Sequence, residues 1–294
     1  MKSLLLKFSG PLQSWGTDSH FETRHTDYYP SKSAVIGMIA AAFGYRRSTD
    51  CDEEITKLND LDFAVRVDQQ GNLLRDYHIA AKYKSNGDFE RNYVTNRYYL
   101  EDAIFLVALG SDNEELIDNI GDALRSPYFQ SSLGRRSLPP TADLILGVED
   151  CGVIQALLTH EWLANEWGRR RVKVSVLSRG LESTEESSKS LNSGFVPLYA
   201  DADLIDKAAE ELKKEDIDTY RIQSSVRKLR KDYVNSFSNK ERKFGFRYES
   251  KIEIPIERIR RNMPNLQNVR SDNSYLKVHR TFNVEHDAFS GLEA

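Results

Sequence analysis

The chain is poor in cysteine: Cys51 and Cys151 are the only two, far apart and outside any Cys-x-x-Cys pair. That spacing supports neither a zinc site nor a disulfide framework, and both read as reduced thiols. Long apolar runs are also missing. The opening Met1-Lys2-Ser3-Leu4-Leu5-Leu6-Lys7-Phe8 breaks at Lys7, too soon for a signal peptide. No stretch approaches the roughly 18 apolar residues of a spanning helix. A cytoplasmic protein without membrane contact is expected. Metal-ligand spacing is lacking as well: His160-Glu161 has no second His four residues from the first, and His20, His25, His78, His279 and His286 form no ligand pattern. No metal or cofactor is therefore expected. Leu12 stands where a nucleophile elbow would place Gly ahead of Ser14. Pro30-Ser31-Lys32-Ser33 has no Gly-rich loop before it, so it is not a Walker motif.

What remains is ordinary globular composition, 39% hydrophobic and 29% charged over 294 residues, enough for one elaborated domain or two. A net charge of −4 argues against a freestanding nucleic-acid binder, but the charge is unevenly placed. Thr219 to Arg280 carries 16 Lys and Arg against 6 Asp and Glu, a net +10, which leaves the rest of the chain at −14. A basic region on an acidic body suits a subunit that meets RNA on one face and protein on others. A solvated basic helix fits that segment equally well.

Ser3 to Phe8 is an apolar strand pattern closed by Gly10-Pro11. Val35, Ile36, Ile39 and Phe43 recur at helical spacing and stop at Gly44. Leu61, Phe63, Val65 and Val67 alternate as a strand, and Leu73 to Ile79 is predicted to return beside it across Gln70-Gly71-Asn72. Asp102 to Leu109 gives another strand, Leu116, Ile117, Ile120 and Leu124 a second helix, and Leu144 to Val148 a further strand. Strand, helix, strands, helix, strand is the order of an α+β, ferredoxin-like unit: two helices cover one face of an antiparallel sheet and leave the other free for a ligand. Tyr77 to Leu100, polar, aromatic and basic, is too long for a turn and is predicted to project as an arm.

The ferredoxin-like domain thus spans residues 1–150 with its arm at 77–100, and residues 151–294 form a C-terminal extension. In the extension, Val153, Leu157 and Leu158 predict a helix, Val172 to Leu177 a strand, and Ser183 to Ser193 a linker. Asp201 to Lys214 and Tyr220 to Phe237 read as charged helices, and Phe244 to Ile256 as strands returning to the sheet.

Several clusters could carry function. Gly10-Pro11-Leu12-Gln13-Ser14-Trp15-Gly16 is either a tight turn anchored by Trp15 or a backbone surface approached by RNA. Ser31 is a good N-cap, whereas Lys32 in the first helical turn opposes the helix dipole unless an anion sits there. Ser31, Lys32, Ser33 and free amides would hold a phosphate; alternatively Lys32 is simply exposed. Gly37, inside the same helix, hints at close packing. Leu133-Gly134-Arg135-Arg136-Ser137 puts two guanidiniums on a Gly- and Pro-framed loop, to fork onto phosphate or pair with a carboxylate of the acidic body. In the arm, Lys82, Lys84, Arg91, Arg97, Tyr98 and Tyr99 mix charge with aromatic faces, a composition that grips a backbone and stacks bases, or a solvated hairpin. His20 and His25, near Tyr28, Tyr29 and Lys32, leave open metal-free RNA cleavage by a general acid and base.

These segments resemble the CasD family of type I-E CRISPR systems, within the RAMP group of ferredoxin-like, RRM-like RNA binders. The matching residues are Gly10 to Gly16, Phe21, Arg24, Thr26, Pro30-Ser31-Lys32-Ser33, Val35-Ile36-Gly37, Asp76-Tyr77-His78, Tyr98 to Ala103 and Leu133 to Ser137. Beyond Val148 the likeness thins to Lys243-Phe244-Gly245-Phe246-Arg247 and His286-Asp287-Ala288-Phe289, and Asn165 to Lys240 is longer than the family core. The resemblance implies a non-catalytic subunit of the antiviral Cascade ribonucleoprotein, without cofactor, that caps the 5′ handle of the guide RNA with the arm as its thumb. Its neighbours would be the large subunit and the nearest backbone subunit, with target DNA reached through the complex. The RNA contacts it implies are Gln13, Ser14, Trp15, Arg24, Ser31, Lys32, Ser33, Lys82, Lys84, Arg97, Tyr98, Arg135, Arg136 and Ser137. Type I-C relatives cleave precursor RNA with a site in which Lys and His are adjacent, and no Lys-His pair occurs here. A metal-independent endoribonuclease of repeat RNA is the alternative function.

Overall fold

The computed structural model describes residues 1–16, 22–169, 194–212, 221–222, 227–238, 242–256 and 259. The apolar opening forms β1 (Lys2–Ser9), followed by the short strands β2 (Leu12–Gln13) and β3 (Thr23–Arg24). Next come α1 (Lys32–Ala42) and α2 (Asp52–Lys57). β4 (Asp62–Gln69), β5 (Asn72–Tyr83), β6 (Phe89–Glu101) and β7 (Ile104–Ser111) precede α3 (Glu114–Arg125) and β8 (Ile145–Glu149). The remainder supplies α4 (Val153–Thr159), β9 (Phe195–Asp201), α5 (Ala202–Leu212), β10 (Arg221–Ile222), β11 (Lys228–Ser236) and β12 (Lys243–Pro255). The side chains of Ser31 and Asn113 accept hydrogen bonds from Ala34 N and Leu116 N, which caps α1 and α3. Among the described residues no helix is long and apolar enough to cross a membrane.

One antiparallel sheet runs β10-β12-β9-β4-β7-β1-β8, with β11 beside β12. Side chains alternate across it. Leu4, Leu6, Phe8, Phe63, Val65, Phe105, Val107 and Leu109 pack with α1 through Val35, Ile36 and Ile39 and with α3 through Ile117 and Ile120. Leu5, Ala64, Leu106 and Ala108, pointing the other way, join Val153, Ala156 and Leu157 of α4, Trp162, Ile205 and Ala208 of α5, and Ile252 and Ile254 of β12. Both sheet faces are therefore covered, and the face expected from the sequence to stay free for a ligand is packed instead. Small residues at positions 64, 108 and 200 let the second layer approach closely.

Arg66 fixes that second layer. It is fully buried, pairs with Asp68 at 2.6 Å and donates to Leu157 O, to His160 O at 2.8 Å and to Glu161 O at 2.5 Å. Trp162 Nε1 donates to Asp68 O at 2.9 Å, and Leu163 N to Asp68 Oδ2 at 2.8 Å. One buried ion pair thus holds the end of α4 and the chain after it against β4, with its hydrogen-bonding capacity used locally.

Two other expectations are corrected. Leu73 to Ile79 does not return against β4: β5 pairs with β6 along its length, and these two strands form a second sheet with β2 and β3. The chain turns out of the main sheet at Gly71, φ +71°, where a Cβ would lie 2.4 Å from Glu101 O. Asp102, φ 54°, makes the matching turn on the way back. Nor do the described residues of the Tyr220 to Phe237 segment form a helix. They contribute β10 and β11, and in β11 the buried residues are Arg230, Asp232, Val234 and Ser236, a two-residue period hidden because charged side chains carry it. The predicted strand at Val172 to Leu177, the linker at Ser183 to Ser193, His20, Phe21, His279 and the His286-Asp287-Ala288-Phe289 motif lie outside the described residues.

Candidate nucleic-acid interface

The arm is a long β-hairpin closed by Lys84 N to Asp88 O at 2.8 Å and Gly87 N to Lys84 O at 2.9 Å. Its register separates two chemistries. Paired residues share a face, so Asp76 and Arg97, His78 and Thr95, and Lys82 and Arg91 lie on one side. Leu73, Tyr77, Ile79 with Val94, and Tyr83 with Phe89 lie on the other, all exposed. Toward the tip Lys82 is exposed and paired with Glu90 at 2.8 Å, Arg91 stacks over Tyr93 at 4.3 Å, and Lys84 is exposed.

Motifs far apart in sequence meet at the foot of the arm. Residue 134 has φ +94°, and a Cβ there would sit 1.7 Å from Ser14 O, so the Leu133–Leu138 loop can dock on the Gln13–Trp15 segment only because Gly134 has no side chain. Ser14 N donates to Leu133 O at 3.1 Å, and Ser14 Oγ to Tyr98 O at 3.3 Å. Arg135 lies 4.3 Å over the Tyr99 ring and donates from Nη2 to Arg24 O and Tyr98 O at 3.2 and 3.3 Å. β3 runs parallel to β6 with Arg24 beside Arg97 in register, which brings three arginine positions to the foot of the arm. Asp76 faces Arg97 across the strands, so the cluster keeps an excess of positive charge. Among the described residues, Arg97 Nε and Arg135 Nη1 are buried without a hydrogen-bond partner. On the opposite side of β6, His25 stacks on Tyr98 at 5.4 Å, and Arg75, which the sequence pattern did not flag, donates to Asn96 Oδ1 at 2.9 Å. Arg136 and Ser137 are exposed beside this cluster.

Gln13 and Trp15 frame the site from inside rather than lining it. Gln13 is fully buried, with Nε2 donating to Ala103 O at 2.7 Å, and Trp15 is 1% exposed, stacked on Phe8 at 5.4 Å with Nε1 donating to Gln13. Ser14 is 5% exposed, and its hydroxyl is engaged by Tyr98 O. The direct RNA contacts expected of these three side chains are corrected to internal bracing.

The phosphate site expected at Ser31-Lys32-Ser33 is corrected for a different reason. The anion at the start of α1 is the protein's own: Asp232 Oδ2 accepts from Lys32 N at 2.9 Å, and Lys32 Nζ pairs with Asp201 at 3.1 Å, leaving Lys32 5% exposed. Ser31 Oγ caps the helix and lies 3.2 Å from Ser33 Oγ. Gly37 of this helix faces Phe237, with a Cβ position 3.4 Å from the ring, the close packing its place suggested.

Around this helix start lies a buried ionic cluster. Arg247 reaches Asp232 at 2.8 Å, Glu249 at 2.9 Å and Asp201 at 3.0 Å. Arg230 reaches Asp27 at 3.0 Å, Asp232 at 3.4 Å and Glu249 at 3.5 Å. Tyr29 donates to Glu249 at 2.6 Å. Burial opposes the charge on Arg247, but Asp232, Asp201 and Glu249 outweigh it and hold the guanidinium protonated above its ordinary range. Burial, reinforced by Glu249, drives the Tyr29 hydroxyl well above the usual phenol value. Part of the basic excess counted after Thr219 is thus neutralised internally.

Known proteins carry the same architecture. The model of the family described as CRISPR-associated protein (Cas_Cas5) matches residues 3–247. The CRISPR system Cascade subunit CasD of Escherichia coli is 34% identical over 173 residues, covering 54% of this chain and 76% of CasD. A solved structure described as a CRISPR RNA-guided surveillance complex contains a chain that aligns with TM-score 0.62 and 26% identity over 86% of this chain and 90% of its own length. A second, described as the crystal structure of a Cas protein, aligns with TM-score 0.55 and 26% identity over 87% of this chain and 96% of its own length. With this agreement in sequence and in three dimensions, the chain belongs to the CRISPR-associated Cas_Cas5 protein family.

Proposed function

We propose that this protein is a Cascade subunit of a type I-E CRISPR system, built on a ferredoxin-like core, which binds and caps the 5′ handle of the guide RNA without cleaving it. The observation that carries the reading is the foot of the arm, where Arg24 and Arg97 are in register, Arg135 docks on the Arg24 backbone, and two buried guanidinium N–H groups have no partner among the described residues. A buried unmet donor costs about 1–3 kcal/mol, more on a charged group. Arg97 and Arg135 are only half-buried, so their guanidiniums still have surface that can reach a phosphate oxygen. The aromatic rings of Tyr98 and His25 lie on the other side of the strand, and the arm extends Lys82, Lys84 and Arg91 about 20 Å further. Such a site grips a single strand at its base and covers it along its length.

Of the two histidines weighed as a general acid and base, His25 is stacked on Tyr98 and His20 lies outside the described residues, so the capping reading rests on the arginines rather than on the histidines. The neighbours would be the large subunit and the nearest backbone subunit, target DNA would be met through the complex, and the setting would be the cytoplasm. The test is to incubate the full chain with repeat-derived RNA in EDTA and titrate salt. Wild type should bind and leave the RNA intact, and Arg97→Ala and Arg135→Ala should each weaken binding and flatten the salt dependence by about one released counterion. Metal-independent cleavage would instead establish the endoribonuclease, and unchanged binding by both variants would refute the site.

A further inference from the structure

We infer that Arg230, on the C-terminal strand β11, is a positioning residue for the RNA site, acting through Asp27 to hold Arg24 beside Arg97. The inference rests on the RNA reading of the arm foot. β3, which carries Arg24, is held to β6 by only two register pairs, Thr23 with Asn96 and Arg24 with Arg97. An edge strand that short needs help from the chain that follows it. The help comes from across the molecule. Asp27 N donates to Trp15 O at 3.0 Å, and Trp15 N to Thr26 Oγ1 at 2.8 Å, which fixes the backbone. Arg230 then holds the side chains: Nη2 bonds Asp27 at 3.0 Å, and the guanidinium lies 4.4 Å over the Tyr29 ring. Tyr29 is itself sandwiched, stacked on Tyr199 at 3.9 Å and hydrogen-bonded to Glu249.

Residues 27 and 29, just beyond the Arg24 and His25 contacts, are thus gripped by one cation of the C-terminal extension. Only 8% of the Arg230 side chain is exposed, against 34% for Asp27. A purely packing role at so buried a position would be served better by an apolar residue, because the cation must be desolvated. What the guanidinium adds is direction, a fork with one end on Asp27 and the other on Glu249.

The test compares full-length Arg230→Gln, Arg230→Lys, Asp27→Asn, Arg24→Ala and the double variant Arg24→Ala/Arg230→Gln. RNA affinity and its salt dependence are measured together with amide hydrogen exchange of Thr23 to Asp27 and of Asn96, whose N–H donates to Glu22 O. Arg230→Gln and Asp27→Asn should speed exchange in that segment about tenfold or more, leave the tip of the arm unchanged, and weaken RNA binding about as much as Arg24→Ala does. The double variant should bind no worse than Arg24→Ala alone, as coupled residues require, and Arg230→Lys should recover part of the loss. Unchanged exchange, or losses that multiply in the double variant, would overturn the positioning role. If Arg24→Ala itself leaves RNA binding intact, the RNA reading fails instead, and the exchange result still decides whether Arg230 holds the segment.

Discussion

Gly134→Ala should damage this protein twice, once as a fold and once as an RNA binder. The new Cβ would fall 1.7 Å from Ser14 O, against about 3.3 Å for a carbon and oxygen in contact, so the loop must retreat by about 1.6 Å. Retreat breaks the 3.1 Å bond from Ser14 N to Leu133 O, worth about 1 kcal/mol, and alanine at φ +94° adds roughly 1–2 kcal/mol. A loss of about 2–3 kcal/mol corresponds to a melting temperature lower by roughly 5–10 °C. The same movement withdraws Arg135 from Arg24 O and Tyr98 O, and with it a charged contact worth about 1.5–3 kcal/mol, or roughly ten- to hundredfold in RNA affinity. Thermal melting and fluorescence anisotropy with repeat-derived RNA measure the two effects separately. Arg135→Met supplies the comparison, since it removes the guanidinium without moving the loop and should lose affinity while melting near wild type. If Gly134→Ala melts and binds like wild type, the loop is not docked on Ser14; if it melts early but binds normally, the loop is not part of the RNA site.

Trp15→Ala, which empties a buried site against Phe8, should cost roughly 3–5 kcal/mol in urea unfolding. Lys32→Ala should also destabilise, by about 1.5–3 kcal/mol, because it removes one of the two cations on the half-buried Asp201 and leaves Arg247 as the other, yet the salt slope of RNA binding should stay that of wild type; a flatter slope would restore Lys32 as a phosphate contact. Asp62 is a carboxylate whose pKa is raised, first by burial and then by Asp201, so the folded state holds its proton more tightly than the unfolded one and stability falls as pH rises through that range. Asp62→Asn should therefore raise the melting temperature at neutral pH, with the gain vanishing below about pH 4. Replacing residues 81–92 by a Gly-Ser turn between the register partners Ala80 and Tyr93 should leave the main sheet intact, while nuclease probing of the assembled complex shows new cleavage confined to the guide's 5′ end.

The strands and helices of the first half were legible because apolar residues recur there at clear periods. The covered second face was legible too, although it was read otherwise: Ile104 to Leu109 is apolar without alternation, the mark of a strand buried on both sides. The arm was visible as composition, but its register was not, because alternating Tyr, Ile, Lys and His carry no single-face pattern. β11 was misread for a physical reason. Its first two inward positions are Arg230 and Asp232, and nothing local distinguishes an ion pair destined for burial from a solvated charge. The same ambiguity hid the role of Lys32. An anion does sit at the start of α1, but it comes from two hundred residues downstream and is visible only in three dimensions. At the arm foot, the residue types were readable and their meeting was not, since Ser14, Arg24, Arg97 and Arg135 are joined through Gly134 packing and backbone carbonyls.

The pairing of β5 with β6 also limits how such an arm can change in length. From Asn72 with Glu101 out to Lys82 with Arg91, the strands match residue for residue, and neighbouring positions face opposite ways. Adding or removing two residues on each strand shifts the tip by about 6.6 Å and leaves both faces chemically as they were. A change of one residue on each strand carries every side chain beyond it to the wrong side, turning Lys82 and Arg91 toward the position of Ile79 and Val94. The arm is a ruler graduated in dipeptides, and its reach can be reset in those steps without altering its grip.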